Sequence, residues 1–307
     1  MNPGAKARLQ VHLCVLLWGF TAILGKLITL AALPLVWWRM LLVSGTLLLL
    51  PRVWRALRAL APRLRLAYAG IGVLVSLHWL TFYGAIKLAN ASVAATCIAI
   101  APLFLVFLEP LLARRRFQLR EMLLALAVVP GVALVVDGVP ATMRLGVAVG
   151  VLSALLVATF TALNKRLVEH ADPLGVTALE LGAGALFLTV LAPLLPHSGS
   201  PWPLPDLHNS ILLLVLAYAC TLLPFALALH ALRNISAFGM QLITNLEPVY
   251  AIVLAIVLLH EQRVLDARFY SGVVIILLAV FVHPLLMRRH EAAPELLATA
   301  EAKTLAE

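Results

Sequence analysis

Apolar residues run almost unbroken along this chain, and polar ones gather in short clusters between the runs. Stretches such as 210-SILLLVLAYACTLLPFALAL-229 form one continuous apolar block, without the alternation of a half-buried strand. At 1.5 Å rise per residue, roughly 20 residues cross a hydrocarbon core of about 30 Å. Ten segments meet that length: 11–30, 35–53, 66–86, 92–112, 121–139, 144–165, 174–195, 210–232, 237–259 and 267–287. The pattern predicts an all-α integral membrane protein with ten transmembrane helices. A membrane β-barrel would show short alternating segments instead. The longest connection, 196-PHSGSPWPLPDLHN-209, is a Pro-rich loop, and the tail over 291–307 is short and polar. Nothing left between the spans is long enough for a soluble domain.

Composition closes off the soluble alternative. Of 307 residues, 63% are hydrophobic and 12% charged, with a mean hydropathy of +1.03. Soluble domains sit near 45–50% apolar and about 25% charged. The three cysteines, Cys14, Cys97 and Cys220, fall inside apolar spans and give no disulfide framework. No small-residue cleavage site follows the first apolar stretch, which reads as a first helix rather than a removed signal peptide.

The net charge of +9 is arranged for topology. With the N-terminus inside, sixteen Lys and Arg fall on the inner side, including the clusters Arg52–Arg65 and Arg114–Arg120. Six fall on the outer side or at span ends: Lys26, Arg39, Lys87, Arg144, Arg263 and Arg268. That bias predicts both termini in the cytoplasm. It points to anionic lipid headgroups as the partner of the basic loops, and not to nucleic acid.

The chain also repeats itself. The segment 20-FTAILGKL-27 aligns with 160-FTALNKRL-167. Further on, 85-AIKLANASVAATCIAIAPLFL-105 aligns with 231-ALRNISAFGMQLITNLEPVYA-251, placing Lys87 on Arg233 and Pro102 on Pro248. Two five-helix halves follow, over 1–139 and 144–290, with 291–307 as a cytoplasmic tail. Five is odd, so the second half enters the bilayer inverted. Inverted repeats are typical of secondary transporters, whose sites lie near the midplane between the halves.

Polar groups within hydrocarbon are functional candidates by default. His78 stands about twelve residues into the third span, beside Trp79, Phe82 and Tyr83. An imidazole among aromatic rings can hydrogen-bond a carboxylate or amine while the rings stack on the cargo; packing against a neighbouring helix is the plainer reading. In the ninth span Gln241, Thr244, Asn245 and Pro248 fall at i, i+3, i+4 and i+7, one polar stripe for a cavity or for interhelical contact. Trp18 and Thr21 on the first span and Tyr218 on the eighth complete the candidate substrate-binding set, with Thr159, Thr161, Asn164 and Thr221 as further inner-face polar groups. Pro102 and Pro248 each free a carbonyl one turn earlier and are hinge candidates. Trp37 and Trp38 read first as an interfacial belt, with a gate as the alternative. Glu180 aligns with Arg39 in the repeat, which raises a pair between the halves. His78, Glu180 and Glu247 are the possible proton carriers.

The chemistry of catalysis finds no foothold. There is no HExxH, no GxSxG elbow, no Gly-rich phosphate loop and no paired carboxylate motif. No His, Cys or carboxylate stands at ligand spacing from His78, so neither a metal nor any cofactor is expected. The loops offer little surface for a receptor or scaffold, and a monomer acting on a small molecule is expected.

Several of these features resemble the drug/metabolite transporter superfamily of EamA-like proteins. They are the Pro-centred helices after basic-plus-small turns (87-KLANASVAATCIAIAP-102 and 233-RNISAFGMQLITNLEP-248), Glu261 in 259-LHEQ-262, and 37-WWRM-40 opening the second span. The third helix, 76-SLHWLTFYGAIK-87, is most similar to that of bacterial aromatic amino-acid exporters. The resemblance implies ten helices around a central cavity, a bacterial inner membrane, alternating access, and export of neutral amino acids with aromatic ones favoured. In the first half, basic 114-RRR-116 stands where the family usually has an acidic residue. Sugar phosphates would call for cationic clamps in the cavity, whereas the basic residues read as lying at span ends. Lipophilic drugs or cations are the closer rival, because aromatic cages also hold cations.

Overall fold

In the computed structural model the described residues are 3–112, 119–167, 172–195, 200–224, 227, 243–244, 246–279 and 281–282. They form helices α1 (Pro3–Leu27), α2 (Ala32–Leu48), α3 (Pro51–Ala59), α4 (Pro62–Leu88), α5 (Ala91–Ile98), α6 (Ala101–Leu112), α7 (Leu119–Asp137), α8 (Arg144–Leu167), α9 (Pro173–Leu191), α10 (Leu207–Leu214) and α11 (Glu247–Leu259). A last one, α12, covers Ala267–Ala279. No strand occurs among the described residues. Among the described residues five helices are long and apolar enough to cross a membrane, or six if the bent pair α2–α3 counts as one span. Four shorter apolar helices accompany them. The expectation of ten full spans thus meets a set of unequal lengths.

Three spans depart from a straight helix, each for a local reason. α3 turns 91° away from α2, where Pro51 supplies a helix start and cannot accept continuation of α2. Its Val53 is buried while Arg52, Arg55 and Arg58 are exposed, the mark of a helix lying along a surface. The basic run reads as a loop from sequence; the i, i+4 spacing of Val53 and Leu57, with Leu60 just beyond the helix end, makes it an amphipathic helix. The fourth predicted span breaks into α5 and α6 around Ala99–Ile100, next to Pro102, which has no N–H to give Ile98. In the ninth, Ile243 and Thr244 are helical, Leu246 stands in a turn just before α11, and Pro248 sits in the first turn of α11, where no donor is needed.

The eighth span changes pitch. α10 passes into a π-helix over Val215–Leu222, closed by Leu223 N–H donating to the Tyr218 carbonyl and by Thr221 Oγ donating to the Leu216 carbonyl, 2.8 Å. Such wide turns are often found at functional sites.

α4 lies at the centre, packed between α8 and α9, with α1 against α11 and α5. The α4–α9 crossing rests on small residues. A Cβ on Gly72 would run into the backbone carbonyl of Glu180, and one on Gly184 would come within 2.7 Å of the Gly72 carbonyl. Glycine is required there because the two backbones touch, as is common between helices in lipid.

Side chains close the helix ends. Glu261, 5% exposed, accepts from Ala91 N at 3.0 Å and Ser92 N at 2.8 Å. It caps α5 from across the molecule, while Asn90 caps the same helix locally by accepting from Val93 N at 2.9 Å. His260, at φ 53, makes the left-handed turn that brings Glu261 round. At the other helix ends Asn209 exchanges two 2.8 Å hydrogen bonds with Thr29. Trp37 and Trp38 donate to Thr189 Oγ at 2.8 Å and the Pro203 carbonyl at 3.1 Å. Trp37 also packs on Trp202 with ring centroids 4.8 Å apart. Both indole N–H groups are therefore held by protein acceptors.

Candidate functional site

A narrow cavity opens between α1, α4, α5 and α11. Trp18, Thr21 and Ala22 of α1 line it, with Phe82 of α4, Ala95 and Ile98 of α5, and Glu247, Pro248 and Ala251 of α11. Its volume is about 10 Å³, room for roughly one water and far below the roughly 300 Å³ at the low end of small-molecule sites. A cargo would need its walls to move apart. Helices from both ends of the sequence thus meet around one aromatic and polar space. Trp18, Thr21, Phe82 and Pro248, named from sequence, lie on its walls. Glu247, read from sequence as a possible proton carrier, lies there too. It stands between Asn245 and Pro248 of the polar stripe.

His78 takes a different position. It is 8% exposed and its Nδ1 lies 2.9 Å from Ser153 Oγ and 3.0 Å from the Ser153 carbonyl. Ser153 Oγ also comes within 3.0 Å of the His78 carbonyl. The ring stacks on Phe82 (centroids 6.2 Å, 28°) and meets Phe160 edge-on at 5.5 Å. This ties α4 to α8 behind the cavity wall formed by Phe82. Its hydrogen bonds go to α8, and its route to the cavity is through the Phe82 ring.

The largest departure from the sequence reading is Arg39. It does not stand at a span end but is 4% exposed, midway along α2. Its Nη1 donates to Tyr83 Oη at 2.8 Å and its Nε to Thr221 Oγ at 3.0 Å. The guanidinium carbon lies 3.8 Å from the Trp79 ring centroid, a close cation–π contact. The π-turn in the eighth span is what brings Thr221 to this spot. Tyr83 is fully buried and packs edge-on against Phe82 at 5.4 Å, which leaves the guanidinium one aromatic layer from the cavity.

The pair between Arg39 and Glu180 does not form. Glu180, 9% exposed, takes one long contact of 3.5 Å from Asn164 Nδ2 through Oε2, and its Oε1 is buried without a partner. The repeat alignment matches sequence positions, but Glu180 packs at the α4–α9 crossing while Arg39 turns to Trp79, Tyr83 and the π-helix. Tyr218 is held 2.9 Å from Thr46 Oγ, a link between α2 and the eighth span. Of the ninth-span stripe, Thr244 is described and partly buried; Gln241 and Asn245 lie outside the described residues. Lys87 donates to the Ile28 carbonyl, so its charge is fixed at the end of α1.

The comparisons with known proteins agree with this architecture. The EamA-like transporter family matches residues 6–137 and again 144–283, which together cover nearly the whole chain. The chain belongs to the EamA-like transporter family. Members of this family are membrane transporters of the drug/metabolite superfamily, so this EamA-like protein is a multi-pass membrane protein built on the EamA repeat and belongs with transporters rather than enzymes. A protein of known crystal structure, 19% identical, aligns with 94% of the EamA-like chain and 99% of its own length at a TM-score of 0.61; that likeness concerns the fold alone. No curated protein shows significant similarity to the chain.

Proposed function

We propose that the protein exports neutral amino acids, aromatic ones preferentially, across the cytoplasmic membrane by alternating access. In this reading all ten apolar segments cross the bilayer as two inverted five-helix repeats, with both termini in the cytoplasm and one chain as the working unit. The observation that carries the proposal is the cavity itself. Trp18 and Phe82 offer ring faces to a flat side chain, Thr21 offers a hydroxyl, and Glu247 offers a carboxylate for an ammonium group. In the sequence Gln241, Thr244 and Asn245 precede Glu247 by a few positions and supply further polar groups for the cargo. Trp79, Tyr83 and His78 form the layer behind Phe82, while Pro102 and the Pro248 turn serve as points of bending.

A second reading has one specific support. A carboxylate in an aromatic cavity also suits a lipophilic cation, which makes hydrophobic amines the alternative cargo. Uptake of labelled tryptophan, phenylalanine and alanine into liposomes carrying purified protein, with and without a pH gradient, separates the two. Saturable uptake of the aromatic pair, competed by unlabelled compound, is the expected result. Absence of any amino-acid flux from well-folded protein would overturn the substrate assignment and turn attention to cationic drugs.

A further inference from the structure

A buried cation in hydrocarbon with no counter-charge is costly, so its persistence calls for a use. Arg39 is such a group. No carboxylate stands within 4 Å of its guanidinium among the described residues, and its acceptors are two neutral hydroxyls, Tyr83 Oη and Thr221 Oγ. Nη2 makes no hydrogen bond among the described residues. Trp79 flattens against one face of the group, which fixes its plane and directs its edge donors sideways. Glu247 lines the cavity on the far side of the Phe82 ring, which packs on Tyr83, and it too has no ion pair among the described residues.

We propose that Arg39 is the carboxylate anchor of the transported amino acid, with Glu247 receiving the ammonium group. This rests on the amino-acid reading above and assigns the two ends of the cargo. Ionised acceptors bind a guanidinium about twice as strongly as neutral ones, so a cargo carboxylate displaces the Tyr83 and Thr221 hydroxyls rather than competing evenly with them. The planar fork of arginine suits a carboxylate in two-point contact. Access runs past Phe82, whose ring separates the present cavity from Tyr83. Loading then couples to structure. Releasing Tyr83 and Thr221 removes one tie from α2 to α4 and one to the π-helix, leaving the Thr46–Tyr218 link, so the carboxylate that fills the site also loosens the helices around it.

The test is titration calorimetry on the purified full-length protein in detergent, with three probes: L-phenylalanine, phenethylamine (no carboxylate) and 3-phenylpropionate (no amine). Wild type binds phenylalanine most tightly of the three. Arg39→Gln weakens phenylalanine about 30-fold, as loss of a charge-assisted contact implies, and leaves phenethylamine within about threefold. Arg39→Lys, which keeps the charge, loses about tenfold or less and carries the test should the Gln variant fail to fold. Either variant weakening phenylalanine and phenethylamine in parallel, at an unchanged melting temperature, would overturn the anchor in favour of a packing role. Wild type binding phenethylamine but neither carboxylate-bearing probe, or binding none of the three, would bring down the amino-acid reading together with the anchor. Arg39→Gln binding phenylalanine like wild type would bring down the anchor alone.

Discussion

Glu261→Ala is the sharpest test of how the fold is held at its ends. The Glu261 carboxylate accepts two backbone N–H groups of the first turn of α5, at 3.0 and 2.8 Å, in a buried setting. Hydrogen bonds to a charged group contribute about 1.5–3 kcal/mol each, so removing both costs about 3–6 kcal/mol. Water entering the vacated space would recover part of this, which favours a value near 3 kcal/mol. For a protein of this size about 2–4 °C is lost per kcal/mol, and the melting point should fall by roughly 6–12 °C. Thermal unfolding in detergent, followed by the fluorescence of the six tryptophans, reads the shift. Glu261→Gln keeps one oxygen acceptor and should lose about half as much. Asn90→Ala removes the separate local cap on Val93 and should cost about 1 kcal/mol, adding to the Glu261 effect. A Glu261→Ala protein melting within about 2 °C of wild type would refute the cross-molecular cap as a source of stability.

Three more outcomes follow from the packing. Gly72→Ala should lower the folded yield sharply and reduce the melting temperature, since the added methyl meets the Glu180 backbone; Gly70→Ala on the same helix, where a Cβ meets nothing within 4 Å, is the matched control and should be silent. Asn209→Ala breaks both bonds to Thr29 and should cost about 1–3 kcal/mol, measured by the same melt. His78→Leu should greatly reduce transport while membrane abundance stays constant, and Ser153→Ala, which removes the hydroxyl beside Nδ1, should reproduce part of the loss; equal flux in both variants would remove this pair from the transport cycle.

Much of this architecture is legible in the sequence because hydrocarbon imposes one rule, a long apolar helix, on every crossing. Each predicted segment overlaps a described helix, and the paired motifs around Pro102 and Pro248 mark the repeat. What the sequence hides is lateral. Nothing in 37-WWRM-40 says that Arg39 turns inward onto Trp79, because a shift of a few residues in a span edge moves it from interface to interior. The alternation in α3 is present in Val53 and Leu57, but five arginines between Arg52 and Arg65 outweigh it in any hydropathy count. The π-turn has no composition of its own; it shows only as the i−5 bonds of Thr221 and Leu223. Glu261 is visible as a motif residue, while its partners Ala91 and Ser92 stand about 170 positions away.

The crossing of α4 and α9 sets a mechanical limit. Two backbones that meet at Gly72 and Gly184 have no clearance in which to slide, so these helices behave as one spar. Whatever reshaping lets cargo through is left to members with slack: the interrupted rod of α5 and α6, the wide turns around Thr221, and the restart at Pro248. Stiffness and compliance are thus sorted onto different helices, and a transport cycle in this protein is a matter of joints working around a fixed beam.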